Sequence, residues 1–329
     1  MRHLTYHQQR QRWMQKLLLS YGKLLLLVGA CLNYEVMILL GATSTGERYY
    51  LWAHLIAFVI FVVCYFLGGL IQELLIEHPL HISVGVIGIY AVVALCHRYI
   101  AGSAAIPAFP SAVWVVVTLL LAFHFRNGGY PAVTLLCLLL SLVMVITYST
   151  DSAAVGMIVA IIGVVSIVMY QRNGCLPKGS VWMFLSVAML VTLVWAWINP
   201  TVLSGHISGV ENPSDYMLAD LSNAYGLWIV LLVAVLYLGF LYLCWKELKL
   251  LALEPKVFCC GILIYFTLKT MTFFLCNMGL GLLGGGSIPF ATYNNDLWWD
   301  TALLSLLLVT LRDGETNFSF AWKDELERM

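Results

Sequence analysis

Residues 131–172 read PAVTLLCLLLSLVMVITYSTDSAAVGMIVAIIGVVSIVMYQR, and Asp151 is the one charged residue before Arg172 closes the stretch. Apolar runs of about 20 residues lie on either side of that aspartate. At 1.5 Å rise per residue, each crosses roughly 30 Å of hydrocarbon as an α-helix. Lipid offers no partners for backbone N–H and C=O groups, so a run of this length is satisfied only by a structure that bonds internally. The stretch predicts a pair of transmembrane helices, with Asp151 at the head of the second.

The same pattern recurs along the chain. Apolar runs fall at 17–41, 49–76, 82–100, 111–125, 131–149, 152–171, 180–198, 222–245, 257–280 and 297–311. With 61% hydrophobic and 10% charged residues, the chain is far from the quarter of charged residues typical of soluble domains. A mean hydropathy of +0.89 agrees. The expected fold is an all-α polytopic membrane protein of about ten transmembrane helices. The fourth and fifth runs are joined by a tight RNGGYP turn (126–131). The first run continues to Gly41 without a small-residue cleavage site, unlike a removable signal. The expected organisation is a basic arm at 1–16, a membrane domain at 17–313 with a large loop near 199–222, and a tail at 314–329. The nine cysteines lie mostly within apolar runs and show no C-x-x-C spacing, so they read as small core hydrophobes.

Lysine and arginine set the orientation. The N-terminal arm holds Arg2, Arg10, Arg12, Lys16 and Lys23; alternate loops hold Arg126, then Arg172 and Lys178, then Lys246, Lys249 and Lys256; the tail holds Arg312, Lys323 and Arg328. The intervening loops keep only Arg48 and Arg98. By the positive-inside rule both termini are cytoplasmic, and the arm is an anchor on anionic lipid or a docking segment. The segment Asn199–Gly226, NPTVLSGHISGVENPSDYMLADLSNAYG, then falls outside, with Glu211, Asp215 and Asp220 but no lysine or arginine. Within it, Asn212-Pro213-Ser214-Asp215 has the form of a helix start, so Asp215 either caps the eighth helix or serves as an ionised base at the membrane surface.

Residues 214–226, SDYMLADLSNAYG, resemble the T-D-F-I-F-A-x-x-x-E-E-x-G signature of the FtsW/RodA/SpoVE family, the SEDS peptidoglycan glycosyltransferases. Asp215 falls on the family's proposed catalytic aspartate and Glu211 on the glutamate four residues before it. Further matches follow in family order. His97-Arg98-Tyr99-Ile100-Ala101-Gly102 is similar to R-R-W-I-x-G, and Phe109-Pro110-Ser111-Ala112 to Q-P-S-E. Thr150-Asp151-Ser152 stands where P-D-L is expected, Asn277-Met278-Gly279 resembles N-I-G, and Ile288–Tyr293 resembles L-P-F-I-S-Y. Departures accompany them. Ala112 and Val115 stand where the motif has glutamate and lysine, and Asn223 and Ala224 where it has paired glutamates.

The resemblance implies polymerisation of lipid II at the outer face of a bacterial cytoplasmic membrane, in cell division or cell-shape control. There the hydroxyl of one disaccharide attacks the anomeric carbon of another and expels a polyprenyl diphosphate. It makes Asp215 the general base, with Arg98, Glu211, Asp151, Ser111, Asn277 and Tyr293 as substrate-binding candidates. Glu211 and Asp215 are candidate ligands of a divalent cation, Mg or Mn, and no organic cofactor is implied. The implied partners are a polyprenyl-diphosphate saccharide, a class B penicillin-binding protein and other division or elongation membrane proteins; nucleic acid is not among them. Arg98 alternatively snorkels to lipid headgroups. Two other readings stay open: a catalytically inactive scaffold for the penicillin-binding protein, and a lipid-linked saccharide transporter.

Polar residues inside apolar runs are costly unless paired or near water. Glu35, His54, Asp151 and Lys269 are of this kind. Lys269 and Glu35 are one candidate pair; His54 reads as a hydrogen-bonded core or interfacial histidine, and Asp151 as a helix cap or a site residue. The glycines of Leu280–Gly286 permit a re-entrant or tightly packed turn, and Trp298 and Trp299 suit an interfacial belt.

Overall fold

A computed structural model describes residues 48–100, 110–150, 153–198, 222–223, 226–249, 251–277 and 297–311. Among these the chain forms nine long helices and no strand. They are α1 (Arg48–Glu77), α2 (Pro79–Ile100), α3 (Ser111–His124), α4 (Tyr130–Thr150), α5 (Ala153–Arg172), α6 (Ser180–Ile198), α7 (Leu227–Leu248), α8 (Leu253–Asn277) and α9 (Leu297–Leu311). Each overlaps one of the apolar runs expected between 49 and 311. The run at 17–41, the basic arm at 1–16 and the tail at 314–329 lie outside the described residues. Six of the described helices are long and apolar enough to cross a membrane. Large apolar side chains such as Phe66, Met189 and Tyr242 are exposed on the bundle's surface, where lipid is their solvent.

Local chemistry sets the helix ends. A single residue, His78, separates α1 from α2, because Pro79 lacks an N–H and restricts the residue before it. At the RNGGYP turn the Gly128 N–H donates to Phe125 O at 3.0 Å. A Cβ on Gly128 would lie 2.5 Å from Ala132 Cβ, so the turn requires glycine. Gly226, at φ 88° and ψ 167°, precedes α7 in a conformation that L side chains rarely adopt. This corrects the expected start of the eighth helix at 222.

Helix α3 is the axis of the bundle. It packs against α2, α4, α5 and α8, and residues on all its sides are buried, so it is apolar all round. Val115 and Leu119 join one core with α1, α5, α7, α8 and α9, while Trp114, Val117 and Leu121 join a second with α2, α4, α5 and α6. Several buried hydroxyls are satisfied within their own helices: Thr118 donates to Trp114 O, Ser141 to Cys137 O, and Thr301 to Leu297 O.

Helices run alternately up and down. Tyr90 of α2 meets Trp114 of α3 edge-on at 5.2 Å between ring centres. On α1 and α9, Ala53, Phe61 and Gln72 bond in turn to Trp298, Ser305 and Thr310, so these two run parallel. At one end of the bundle Arg126, after α3, lies 3.9 Å from Glu254 in the first turn of α8; Arg126 also stacks on the Phe123 ring at 4.1 Å and donates to Phe123 O. This is the Arg126 end. Cys175, in the turn between α5 and α6 at the same end, has its thiol pushed up by burial and by Glu254, with Arg126 opposing. The described cysteines are free, and Cys137, Cys244, Cys259 and Cys260 are buried as small core groups.

The starts of α1, α3, α5, α7 and α9 and the finishes of α2, α4, α6 and α8 define the opposite, Ser111 end. Helix α3 has 14 residues, about 21 Å, and α8 has 25, about 37 Å. The chain therefore enters α3 well below the level at which α8 finishes. In a membrane, backbone that leaves a helix at such depth must be buried in protein or line an aqueous cavity.

Close crossings hold these helices together. A Cβ on Gly68 of α1 would lie 2.5 Å from Val309 Cγ2 and 3.0 Å from its Cβ, whereas Gly85 of α2 has nothing within 4 Å. Small residues let helix backbones approach where lipid supplies no hydrophobic drive. Substituting Gly68→Leu should lower stability by about 1–3 kcal/mol, the usual cost of overpacking. Gly85→Leu should leave it unchanged; thermal unfolding in detergent measures both.

Candidate functional site

Four side chains from three helices meet at the Ser111 end. Lys269 Nζ of α8 donates to Asp300 Oδ2 of α9 at 2.8 Å and to Tyr265 OH at 3.1 Å. Tyr265 OH donates to Asp300 Oδ1 at 2.7 Å. Ser111 Oγ lies 2.7 Å from the same phenol oxygen. A phenol has one proton and that proton goes to the carboxylate, so Ser111 is the donor to Tyr265. The chain thus runs from the first residue of α3, through Tyr265, to the first turn of α9.

Position and spacing explain each member. Tyr265 and Lys269 are four residues apart and so share one face of α8. Asp300 is fully buried in the first turn of α9, where free N–H groups favour a negative charge. Lys269 is 7% exposed and Ser111 3%. Two opposite charges with their hydrogen bonds met are the form in which ionisable groups are tolerated at this depth. Pro110 precedes Ser111 with φ −53° and ψ 127°, and no side chain caps α3.

Lys269 takes Asp300 as a partner; Glu35, the candidate named from the sequence, lies outside the described residues. Sequence reasoning missed Asp300 and Tyr265. A signal was present: Asp300 lies three residues into the last apolar run and Lys269 eight residues before Asn277, so both sit inside the bundle on opposed helices. Trp298 and Trp299 drew attention to the aromatic belt instead. They are partly exposed beside Asp300, and Trp298 Nε1 reaches Ala53 O at 3.4 Å.

Of the residues singled out by motif, Ser111 is described in full and joins this cluster. Arg98 is the third-last residue of α2 and Asn277 the last of α8, by backbone, and His54 lies in α1. Asp151, Glu211, Asp215 and Tyr293 lie outside the described residues, as does the 280–286 glycine run. The connections that carry them, 151–152, 199–226 and 278–296, all depart from the Ser111 end. Among the described residues no group of three His, Cys, Asp or Glu side chains is placed to hold a metal ion; the carboxylates proposed for one, Glu211 and Asp215, are not among them.

Beside the cluster an apolar cavity of about 180 Å³ opens between α1, α3 and α9. Ala112, Val113 and Val116 line it from α3, Trp299, Leu303 and Leu306 from α9, and Cys64, Ile71 and Leu75 from α1. Ala112 and Trp299, next in sequence to Ser111 and Asp300, form its margin with the polar chain. Ala112 and Val115 are themselves buried, so α3 carries no charge here.

The chain has the fold of the rod shape determining protein RodA. With the structure from Thermus thermophilus the TM-score is 0.62 at 15% identity, over 88% of this chain and 96% of that one. A single-residue mutant of the same protein gives 0.60 at 15%, with the same coverage. A chain from a structure described as coordinating polymerization and crosslinking by a peptidoglycan synthase complex gives 0.67 at 14%, over 88% and 98%. No protein-family model and no curated protein matches the sequence.

Replacing Tyr265 by Phe deletes the hydroxyl that joins all three helices and leaves buried polar atoms unpaired. The expected loss of stability is about 1–3 kcal/mol, read by thermal unfolding in detergent. Tyr130→Phe, at an exposed position on the Arg126 end, should cause no change.

Proposed function

We propose that this chain is a SEDS-type glycosyltransferase that extends peptidoglycan glycan strands from a polyprenyl-diphosphate disaccharide such as lipid II. One observation carries the reading: the RodA fold extends over 88% of the chain, and the motifs that resemble the SEDS family follow one another in family order along it. The proposed site is the Ser111 end, which faces outward if the positive-inside rule holds. The setting is then the outer face of a bacterial cytoplasmic membrane.

Asp215 is the proposed general base. It takes the proton from the attacking sugar hydroxyl as the bond to the anomeric carbon forms and the polyprenyl diphosphate leaves. Arg98 is suited to the diphosphate or the nascent glycan, because a guanidinium offers paired donors to such oxygens. Glu211, Asp151, Ser111, Asn277 and Tyr293 are the further candidate binding groups. A divalent cation held by Glu211 and Asp215 would offset diphosphate charge. The apolar cavity between α1, α3 and α9 is a fitting place for the first part of the lipid tail.

A second reading is a scaffold without catalysis. It is favoured by Ala112, Val115, Asn223 and Ala224, which lack the charges that the resembled motifs carry. In either reading the proposed partner is a crosslinking enzyme of the class B penicillin-binding type, by analogy with the synthase complex whose fold this chain shares.

Purified wild-type chain, given lipid II and Mg or Mn with and without the partner, should yield glycan strands on a gel. Asp215→Ala should lower the rate by about 10²–10⁴-fold, the usual contribution of a positioned base, while accumulating normally in membranes. Absence of product from the wild type, with partner binding retained, would instead establish the scaffold.

A further inference from the structure

The ion pair of Lys269 and Asp300 has no part in the reading of Asp215, yet it is the most deeply buried charge arrangement among the described residues. Asp300 is fully buried, and Lys269 meets it at 2.8 Å. The other described ion pair, Arg126 and Glu254, is longer at 3.9 Å and lies at the opposite end of the bundle.

A buried pair is a poor device for stability alone. Removing two charges from water offsets most of their attraction, and an apolar pair of similar volume is often as stable or more so. Its distinctive property is direction. Apolar contacts between helices in lipid tolerate sliding and rotation, whereas an ammonium with two fixed acceptors is satisfied in one arrangement. Here the acceptors belong to α9 and to α8 itself, and the phenol that accepts from Lys269 also accepts from Ser111 of α3. Sliding α3 or α9 by one residue, about 1.5 Å, would break at least one of these bonds.

The location matters as much as the bonding. Ser111 is the first residue of α3 and Asp300 lies in the first turn of α9, so the network fixes those helices where two connections at the Ser111 end join them. Neutral neighbours on α3, Ala112 and Val115, contribute no charge, leaving α8 and α9 to supply both.

We propose that Lys269 and Asp300 are positioning residues: their pair, with Tyr265 and Ser111, locks the starts of α3 and α9 in one register against α8 and so sets the geometry at the reacting end of the bundle. The inference rests on the proposed glycosyl transfer for its catalytic consequence, and on the hydrogen bonds alone for its structural one.

The test compares the full-length wild type with the joint variant Lys269→Met and Asp300→Leu, which removes both charges together. Kinetics use the unlabelled chains, and separate samples of each carry genetically encoded spin labels at Met271 of α8 and Trp299 of α9, both exposed, for distance measurement. The joint variant should accumulate and unfold near the wild-type temperature. Its kcat with lipid II should fall about 10–100-fold while KM stays within about 3-fold, the pattern of misplaced reacting groups. The distance distribution between labels should broaden. Wild-type kcat with an unchanged distribution would overturn the proposal. Should the joint variant not accumulate, Asp300→Glu, which keeps the charge but lengthens its arm, should accumulate with kcat lowered at least about 10-fold; wild-type kcat there would equally overturn it. If the wild type makes no product the functional reading fails, and the label distances then decide the positioning claim by themselves.

Discussion

An ammonium group buried among leucines and phenylalanines has few tolerable arrangements. Lys269 finds one by meeting Asp300 at 2.8 Å and the Tyr265 hydroxyl at 3.1 Å, with Ser111 completing the set from a third helix. Hydrocarbon gives helices no reason to associate other than fit, small-residue contact and polar bonds. In this bundle the close approach of Gly68 to Val309 supplies fit, and the Lys269 network supplies orientation. The central helix α3, buried on all sides, is held at its first residue by that network and just beyond its last turn by Arg126 beside Glu254. Those two polar contacts are about 20 Å apart, given the 14 residues of α3 between them.

Much of this architecture was legible in the sequence, for a simple reason. Lipid demands uninterrupted apolar helices of known length, so the runs from 49 to 311 announce themselves, and the described helices α1 to α9 overlap them one for one. Helix ends were harder to read. Pro79 starts α2 three residues before the apolar run suggests, and the positive φ of Gly226 delays α7 to Leu227. Side-chain pairing was hardest. The place of Asp300 inside an apolar run marks a charge in need of a partner, but which partner depends on how far α9 extends and on which face of α8 carries Lys269, and both are tertiary facts. Ser111 was singled out for its place in a motif, and its hydrogen bond to Tyr265 is a property of packing that no motif describes.

The ordered motifs gather at one end of the molecule. There the starts of α3, α7 and α9 and the finishes of α2 and α8 carry or flank the residues that the SEDS resemblance brings forward. Charges expected on α3 are absent, and Ala112 and Val115 instead join the apolar margin of a cavity and a core. Both polarity and apolar volume are nonetheless present at that end, the first on α8 and α9 and the second between α1, α3 and α9. A substrate with a diphosphate head and an isoprenoid tail requires that combination.

Mapping where such a substrate touches the chain tests this account most directly. A polyprenyl-diphosphate disaccharide with a photoreactive group in the first isoprene units would be crosslinked to the chain in bilayers and the modified peptides sequenced. The account predicts labelling, suppressed by unlabelled substrate, on the cavity-lining residues of α1, α3 and α9 and on the connections that depart from the Ser111 end. Labelling confined to the Arg126 end, or unaffected by competition, would contradict it.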